Sequence, residues 1–307
     1  MIIRGLEGVD PQPSVAAVGF FDGVHRGHQS LISRAVGQAV ERGVRSAIVT
    51  FDRHPMEVVA PGSQPRLLQT RARRVRLLAA QGADLVVVIP FDDDLRHLSP
   101  EEFVERVLGG PLKAVGVVVG RNFRFGHKAA GDLETLQHLG EAHGFTAEGW
   151  DLLTDEQGRA ISSTVIRSAV EAGDVTEATR LLGRPHALDG VVVRGDQRGV
   201  GLGFPTANLQ VDERVVTPAP GVYATVLHHP DGRALPAATS IGTNPTFGGQ
   251  QLRVEAYVLD TEENLYGLEV TLDICARVRQ EERFEAVEEL IEQMHEDVAA
   301  VRALLET

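Results

Sequence analysis

A chain of 307 residues with 43% apolar side chains is longer than one core usually fills, so two domains are expected and general disorder is excluded. The net charge of -13 argues against a nucleic-acid scaffold or a basic membrane binder. Cys275 is the only cysteine, which rules out an intramolecular disulfide and fits a reducing cytoplasm. No run of 18 apolar residues predicts a membrane span, and the opening MIIRGLEGVD lacks the basic-then-apolar pattern of a signal peptide. The charge is uneven: residues 1–183 hold 20 basic and 23 acidic side chains, and residues 184–307 hold 10 and 20. An anionic ligand must therefore be met by local groups. A homo-oligomer is compatible with all of this.

Up to about residue 180, apolar runs alternate with helical periodicity. SVAAVGFF reads as a strand and HQSLISRAVGQAVERG as a helix ending at Gly43. SAIVTF, a helix over 70–81, DLVVVIPF, a helix over 100–108 and AVGVVVG follow. In the helix at 70–81 the arginines of RARRVR are expected on the solvated side, with Val75, Leu77 and Leu78 buried. Buried strands alternating with helices predict a doubly wound parallel sheet, whose ligands sit beyond the carboxyl ends of the strands. GFFDGVHRGH, TFDRHP, PFDDD and VGRNFRFG all follow predicted strands, so four polar clusters converge on one sheet edge.

After LLGRPHALDG the rhythm changes. Short strands (GVVVRG, GVYATVLH, ALPAATSIG, RVEAYVLD, EVTLDICARV) punctuated by Gly and Pro predict a small antiparallel barrel or sandwich. A closing helix repeats apolar positions at Phe284, Val287, Leu290, Ile291, Met294 and Val298. The boundary is placed at 183/184.

His25 and His28, three apart where a strand becomes a helix, share one face near the free N–H groups of the helix start, where a phosphate binds. That environment favours neutral imidazole, a hydrogen-bond donor without charge. Gly23 and Gly27 permit close backbone approach. Spacing alone leaves phosphate binding and a structural turn about equally matched.

HRGH has the HxGH form of nucleotidylyltransferases, and GFFDGVHRGH resembles the first motif of the prokaryotic bifunctional riboflavin kinase/FAD synthetase family. FDRHP, GRNFRFGHKAAGD and ISSTVIR follow in the family's order, then LGFPTANL, PAPGVYA, IGTNPTF and VEAYVLD of the riboflavin kinase module. The resemblance spans nearly the whole chain. It implies a nucleotidylyltransferase-like α/β domain (1–183) that transfers AMP from ATP to FMN. It also implies an antiparallel β-barrel with a C-terminal helix (184–307) that phosphorylates riboflavin with a second ATP and Mg²⁺.

Carried over to this chain, the resemblance makes His25 and His28 donors to the ATP phosphates and puts Asn122 at a phosphate or at FMN. Phe125 becomes either a flavin platform or core packing. Ser163 and Thr164, just before a predicted helix, cap it or bind phosphate, and Arg167 neutralises the leaving pyrophosphate. Thr206 and Asn208 hold Mg²⁺ and the ATP phosphates, Glu255 is the general base for the ribityl hydroxyl, and Arg279 lies near the flavin or pairs with nearby glutamates. Asn244 shapes a loop or contacts ligand. Three departures from the family pattern stand out: Asn122 where some relatives have Asp, Arg53 where Pro is usual beside His54, and Val200 where Arg is usual, with Arg198 as a substitute cation. Val200 alone supports the alternative of an FAD synthetase carrying a degenerate flavin-binding barrel.

Overall fold

The computed structural model describes residues 1–151, 153–195, 200–246, 249–261 and 263–306. Arg198 and Gly199 lie outside the described residues, as do the side chains of Val200 and Asn244. Contacts divide the chain into two compact units, Met1–Pro65 with Arg71–Ser162, and Arg66–Thr70 with Ser163–Thr307.

The first unit is built on β1 (Ile2–Arg4), β2 (Ser14–Val18), β3 (Arg45–Phe51), β4 (Leu85–Ile89), β5 (Ala114–Gly120) and β6 (Thr146–Trp150), all parallel, in the order β1-β4-β3-β2-β5-β6. The β-branched runs expected to be strands form the four central ones. Alternation along them fills two cores: Val15, Ala17, Ile48 and Val86 on one face, Ala16, Val18, Val49 and Val87 on the other. Helices α1 (Arg26–Arg42), α2 (Pro55–Val59), α3 (Arg71–Ala79), α4 (Asp93–His97), α5 (Pro100–Phe103) and α6 (Leu133–His143) connect them, α5 running on into wider π-type turns at Val104–Gly109. The edge strands β1 and β6 escaped the sequence reading. One has three residues and the other, TAEGW, has no apolar run.

The strand order reverses at β2. From it the chain steps through β3 to β4 on one side, then crosses to β5 and β6 on the other. The crevice beyond β2 and β5 is the switch point at which such sheets bind ligands. The turns after these strands are GFFDGVHRGH and RNFRFG.

The second unit carries α7 (Ser163–Glu171) and α8 (Val175–Leu182), followed by a closed antiparallel barrel. Its strands are β7 (His186–Val193), β8 (Ala207–Val211), β9 (Gly221–His228), β10 (Ala234–Thr246), β11 (Gly249–Val258) and β12 (Glu269–Gln280), in the order β10-β11-β8-β7-β12-β9. Leu188, Ala207, Leu227, Val254, Ala256 and Leu272 fill the interior. Helix α9 (Val287–Leu305) packs outside against β9, β10 and β12.

Two expectations are corrected. The closing helix starts at Val287, which is itself 54% exposed, and its deeply buried positions are Asp297 and Val301. Asp297 is buried because it takes both Nε and Nη2 of Arg279 at 2.8 Å, bolting α9 to β12. In α3, Arg74 is not solvated: it is 1% exposed and shares the core-facing side with Leu78, four residues on.

Removing one partner of a buried ion pair strands the other charge. Asp297→Asn should cost about 2 kcal/mol, below the fully buried range because Arg279 keeps some exposure, and lower the melting temperature of this unit by about 4–8 °C. Differential scanning calorimetry of the variant checks this.

Candidate active sites

Between β2 and α1 the backbone takes three left-handed residues, Phe21 (φ 59°), Gly23 (φ 85°) and Val24 (φ 41°). Phe21 and Val24 are held in that conformation by burial in the core, 3% and 0% exposed. The turn aims α1 so that His25 becomes its N-cap, Nδ1 of His25 accepting the His28 N–H at 3.4 Å. An Nδ1 that accepts this bond carries no proton itself. The two imidazoles stack at 3.6 Å with 20° between planes. A Cβ on Gly27 would press on the His25 ring at 3.2 Å, so a glycine there keeps the ring in place. Burial, then the neighbouring His25, hold His28 well below the usual imidazole range, and its Nδ1 is buried without a hydrogen-bond partner among the described residues. The His28 ring is therefore held towards its neutral form.

Beyond β3, Asp52 accepts the Phe91 N–H at 2.9 Å and pairs with Arg53 at 3.1 Å. Burial pushes its carboxyl up, but the bonds from Arg53 and Phe91 outweigh this and hold it below the ordinary value. His54 is the N-cap of α2 in a capping box with Glu57. Asn122 is exposed in the turn after β5. Phe125, 6% exposed, packs between Phe103 and Phe123, and all three line a cavity of about 660 Å³ with Phe51, Phe91 and Met56. Arg96, Arg124 and Lys128 also line it, beside His127, giving an aromatic hollow with cationic groups around it. Phe123, stacked on Phe125, was not singled out in the sequence, where one phenylalanine of RNFRF looks like the other.

Ser163, Thr164 and Arg167 lie in the first two turns of α7, within the second unit by contact.

In the barrel, Asn208 of β8 stands opposite Glu255 of β11 in the ladder. Their neighbours Ala207, Leu209, Val254 and Ala256 point into the core, so Asn208 and Glu255, like Thr206 two residues before Asn208, face outward. Glu255 borders two cavities. One, of about 460 Å³, is lined also by Arg194, Gly195, Asn208 and Arg253. The other, of about 330 Å³, is lined by Thr206, Phe204, Tyr257, Arg279 and Met294. Arg253 Nη1 lies 3.8 Å from the carboxylate. Gly195 has no room for a side chain because a Cβ there would overlap the Asn208 amide. Arg279 lines the second cavity with its donors engaged by Asp297 and by the Gln280 carbonyl, and its guanidinium lies 5.6 Å from the centre of the Phe284 ring. Its partner is thus an aspartate of α9.

No group of three or more His, Cys, Asp or Glu side chains suited to a metal occurs among the described residues. Thr206 and Asn208 offer neutral oxygens, which fit a magnesium ion completed by phosphate oxygens and water and do not form an all-protein cage.

A doubly wound sheet with HxGH at its switch point, followed by a closed barrel with GFPTAN and a glutamate on its outer wall, defines a two-domain nucleotide-dependent transferase. A family model described as FAD synthetase matches residues 8–165, and one described as riboflavin kinase matches residues 182–305. Bifunctional riboflavin kinase/FMN adenylyltransferases of Pseudomonas fluorescens (39% identity, 99% of this chain and 97% of the relative) and Escherichia coli K12 (34%, 98% and 96%) are similar from end to end. A crystal structure described as a macrolide-efflux protein from Streptococcus pneumoniae is 30% identical, with a TM-score of 0.89 and 98% of each chain covered. Among the described residues no helix is long and apolar enough to cross a membrane. The chain belongs to the bifunctional riboflavin kinase/FMN adenylyltransferase family.

Proposed function

We infer that the protein converts riboflavin to FMN with one ATP and FMN to FAD with a second, releasing ADP and then pyrophosphate. The observation that carries the kinase half is Glu255, a carboxylate bordering two adjoining cavities with Asn208 opposite it. Riboflavin occupies the hollow beside Phe204 and Tyr257, with Arg279 at its edge, and ATP the more polar one. Glu255 takes the proton from the ribityl hydroxyl as that oxygen attacks the γ-phosphorus and ADP leaves. Thr206 and Asn208 would hold Mg²⁺, which when bound would neutralise phosphate charge.

Adenylyl transfer needs no protein nucleophile. An FMN phosphate oxygen attacks the α-phosphorus and the bond to pyrophosphate breaks. His25 and His28 donate to the phosphate oxygens where negative charge grows, and Gly23 and Gly27 let the turn approach them. The aromatic hollow takes the isoalloxazine ring against Phe123 and Phe125, with Asn122 at its phosphate end. Ser163, Thr164 and Arg167 are assigned to the phosphates by the family likeness alone. In this reading the functional division falls at 183/184, and a single cysteine supports a cytoplasmic setting.

Incubation with riboflavin, ATP and Mg²⁺, with flavins separated over time, tests this. FMN appearing before FAD is expected. FAD from supplied FMN but no FMN from riboflavin would leave only the adenylyltransferase. Gly195→Ala pushes the Asn208 amide aside and should raise the ATP KM of the kinase reaction about tenfold, with FAD formation from FMN unchanged. Steady-state kinetics of the two half-reactions check it.

A further inference from the structure

Arg74 heads the largest fully buried side chains among the described residues, at 1% exposure, and no step described above uses it. Its guanidinium carbon lies 3.9 Å from the centre of the Phe20 ring, and Nη2 donates to the carbonyl of Phe51. Phe20 is the second residue after β2 and opens the turn that leads to His25; Phe51 ends β3 and opens FDRHP. The edge of Phe20 meets His54 at 4.8 Å and 80°. Thr50 Oγ donates to the Phe20 carbonyl at 3.0 Å. One cation thus grips the beginnings of two loops that leave neighbouring parallel strands.

An apolar side chain would fill this space at lower desolvation cost than a guanidinium. Nε is buried without a hydrogen-bond partner among the described residues, so the site is not optimised for stability alone. What the guanidinium supplies is direction: a planar fork with one edge on a carbonyl and its face on an aromatic ring. Burial brings its pKa down to about 10, with Asp22 acting in the opposite sense, and the group is still a cation at neutral pH.

We propose that Arg74 is a positioning residue for adenylyl transfer, locking Phe20 to the end of β3 so that the following turn presents His25 and His28 in one orientation. This rests on the adenylyltransferase reading of the first unit. A misplacement of catalytic donors of about 1 Å is worth up to about 100-fold in rate, whereas a binding pocket elsewhere is little affected.

The test uses the full-length chain, with kcat and KM for FAD formation from FMN measured separately and riboflavin phosphorylation measured in the same preparation. Arg74→Met should lower kcat for FAD formation by about 30-fold with the FMN KM within about threefold, and leave the kinase rate unchanged. Arg74→Lys, which keeps a cation over the ring but loses the planar fork, should recover only a minor part of the loss. If Arg74→Met does not fold, Phe20→Leu carries the same test and should lower kcat about tenfold with KM held. The proposal is overturned if the folded variants keep kcat within about threefold of the parent, or if KM rises and kcat does not fall. A parent enzyme that makes no FAD from FMN would instead overturn the reading on which the proposal rests.

Discussion

Glu255→Gln should reduce FMN formation from riboflavin by about 10²–10⁴-fold while FAD formation from supplied FMN stays within about twofold. Glutamine has the same shape and hydrogen-bonds through the same carbonyl oxygen, so the ladder between β8 and β11 that places residue 255 opposite Asn208 is preserved. What is lost is the capacity to accept a proton. The side chain faces away from the barrel core, whose packing by Val254 and Ala256 is untouched. A fall in kcat with little change in the KM for riboflavin would mark the loss as one of proton transfer. Separation of riboflavin, FMN and FAD over time reads both half-reactions in one experiment. A kinase rate close to the parent's would show that another group takes the proton.

The second large effect is expected at the other site. His28→Ala should lower FAD formation from FMN by about 10²–10³-fold, the cost of removing one donor from the proposed anion site, and leave riboflavin phosphorylation unchanged. It also has a signature in stability. Burial and then His25 push the His28 pKa well below its unfolded value of about 6.5. As pH falls from that value towards the lowered one, the unfolded chain takes up a proton that the folded ring resists, so the folded state loses stability. Above about pH 6.5 this contribution is constant. The melting temperature of the parent should therefore fall on acidification through that window, and in His28→Ala part of the fall should disappear. Equal slopes in thermal melts of the two proteins between pH 7 and 5 would show that His28 does not titrate as a buried neutral ring.

The geometry of the two candidate sites was legible to different depths. His25 and His28 are one helical turn apart, so sequence spacing alone puts them side by side, and the observed stacking at 3.6 Å follows from local geometry. The four inner strands were equally plain, because strands buried on both faces must be apolar throughout. The edges β1 and β6 were not, since an edge strand in contact with solvent carries no such run. Helix periodicity misassigned Arg74 for a related reason. A charged residue is exposed by default, and only the Phe20 ring and Phe51 carbonyl, 54 and 23 residues away in sequence, make its burial tolerable. Arg279 and Asp297 were separated in the same way until β12 and α9 packed together.

Hydrophobic period and turn residues, which act over a few positions, were enough to predict two domains and their fold classes, and the ordered motifs carried the resemblance to the family. Tertiary structure alone decided that β2 is the switch point, that Glu255 stands opposite Asn208 across 47 residues of chain, and that Phe123 and Phe125 share one hollow with Phe51 and Phe91. These are matters of strand order and register. They are set by the closure of a sheet or a barrel as a whole, and no local stretch of residues carries them.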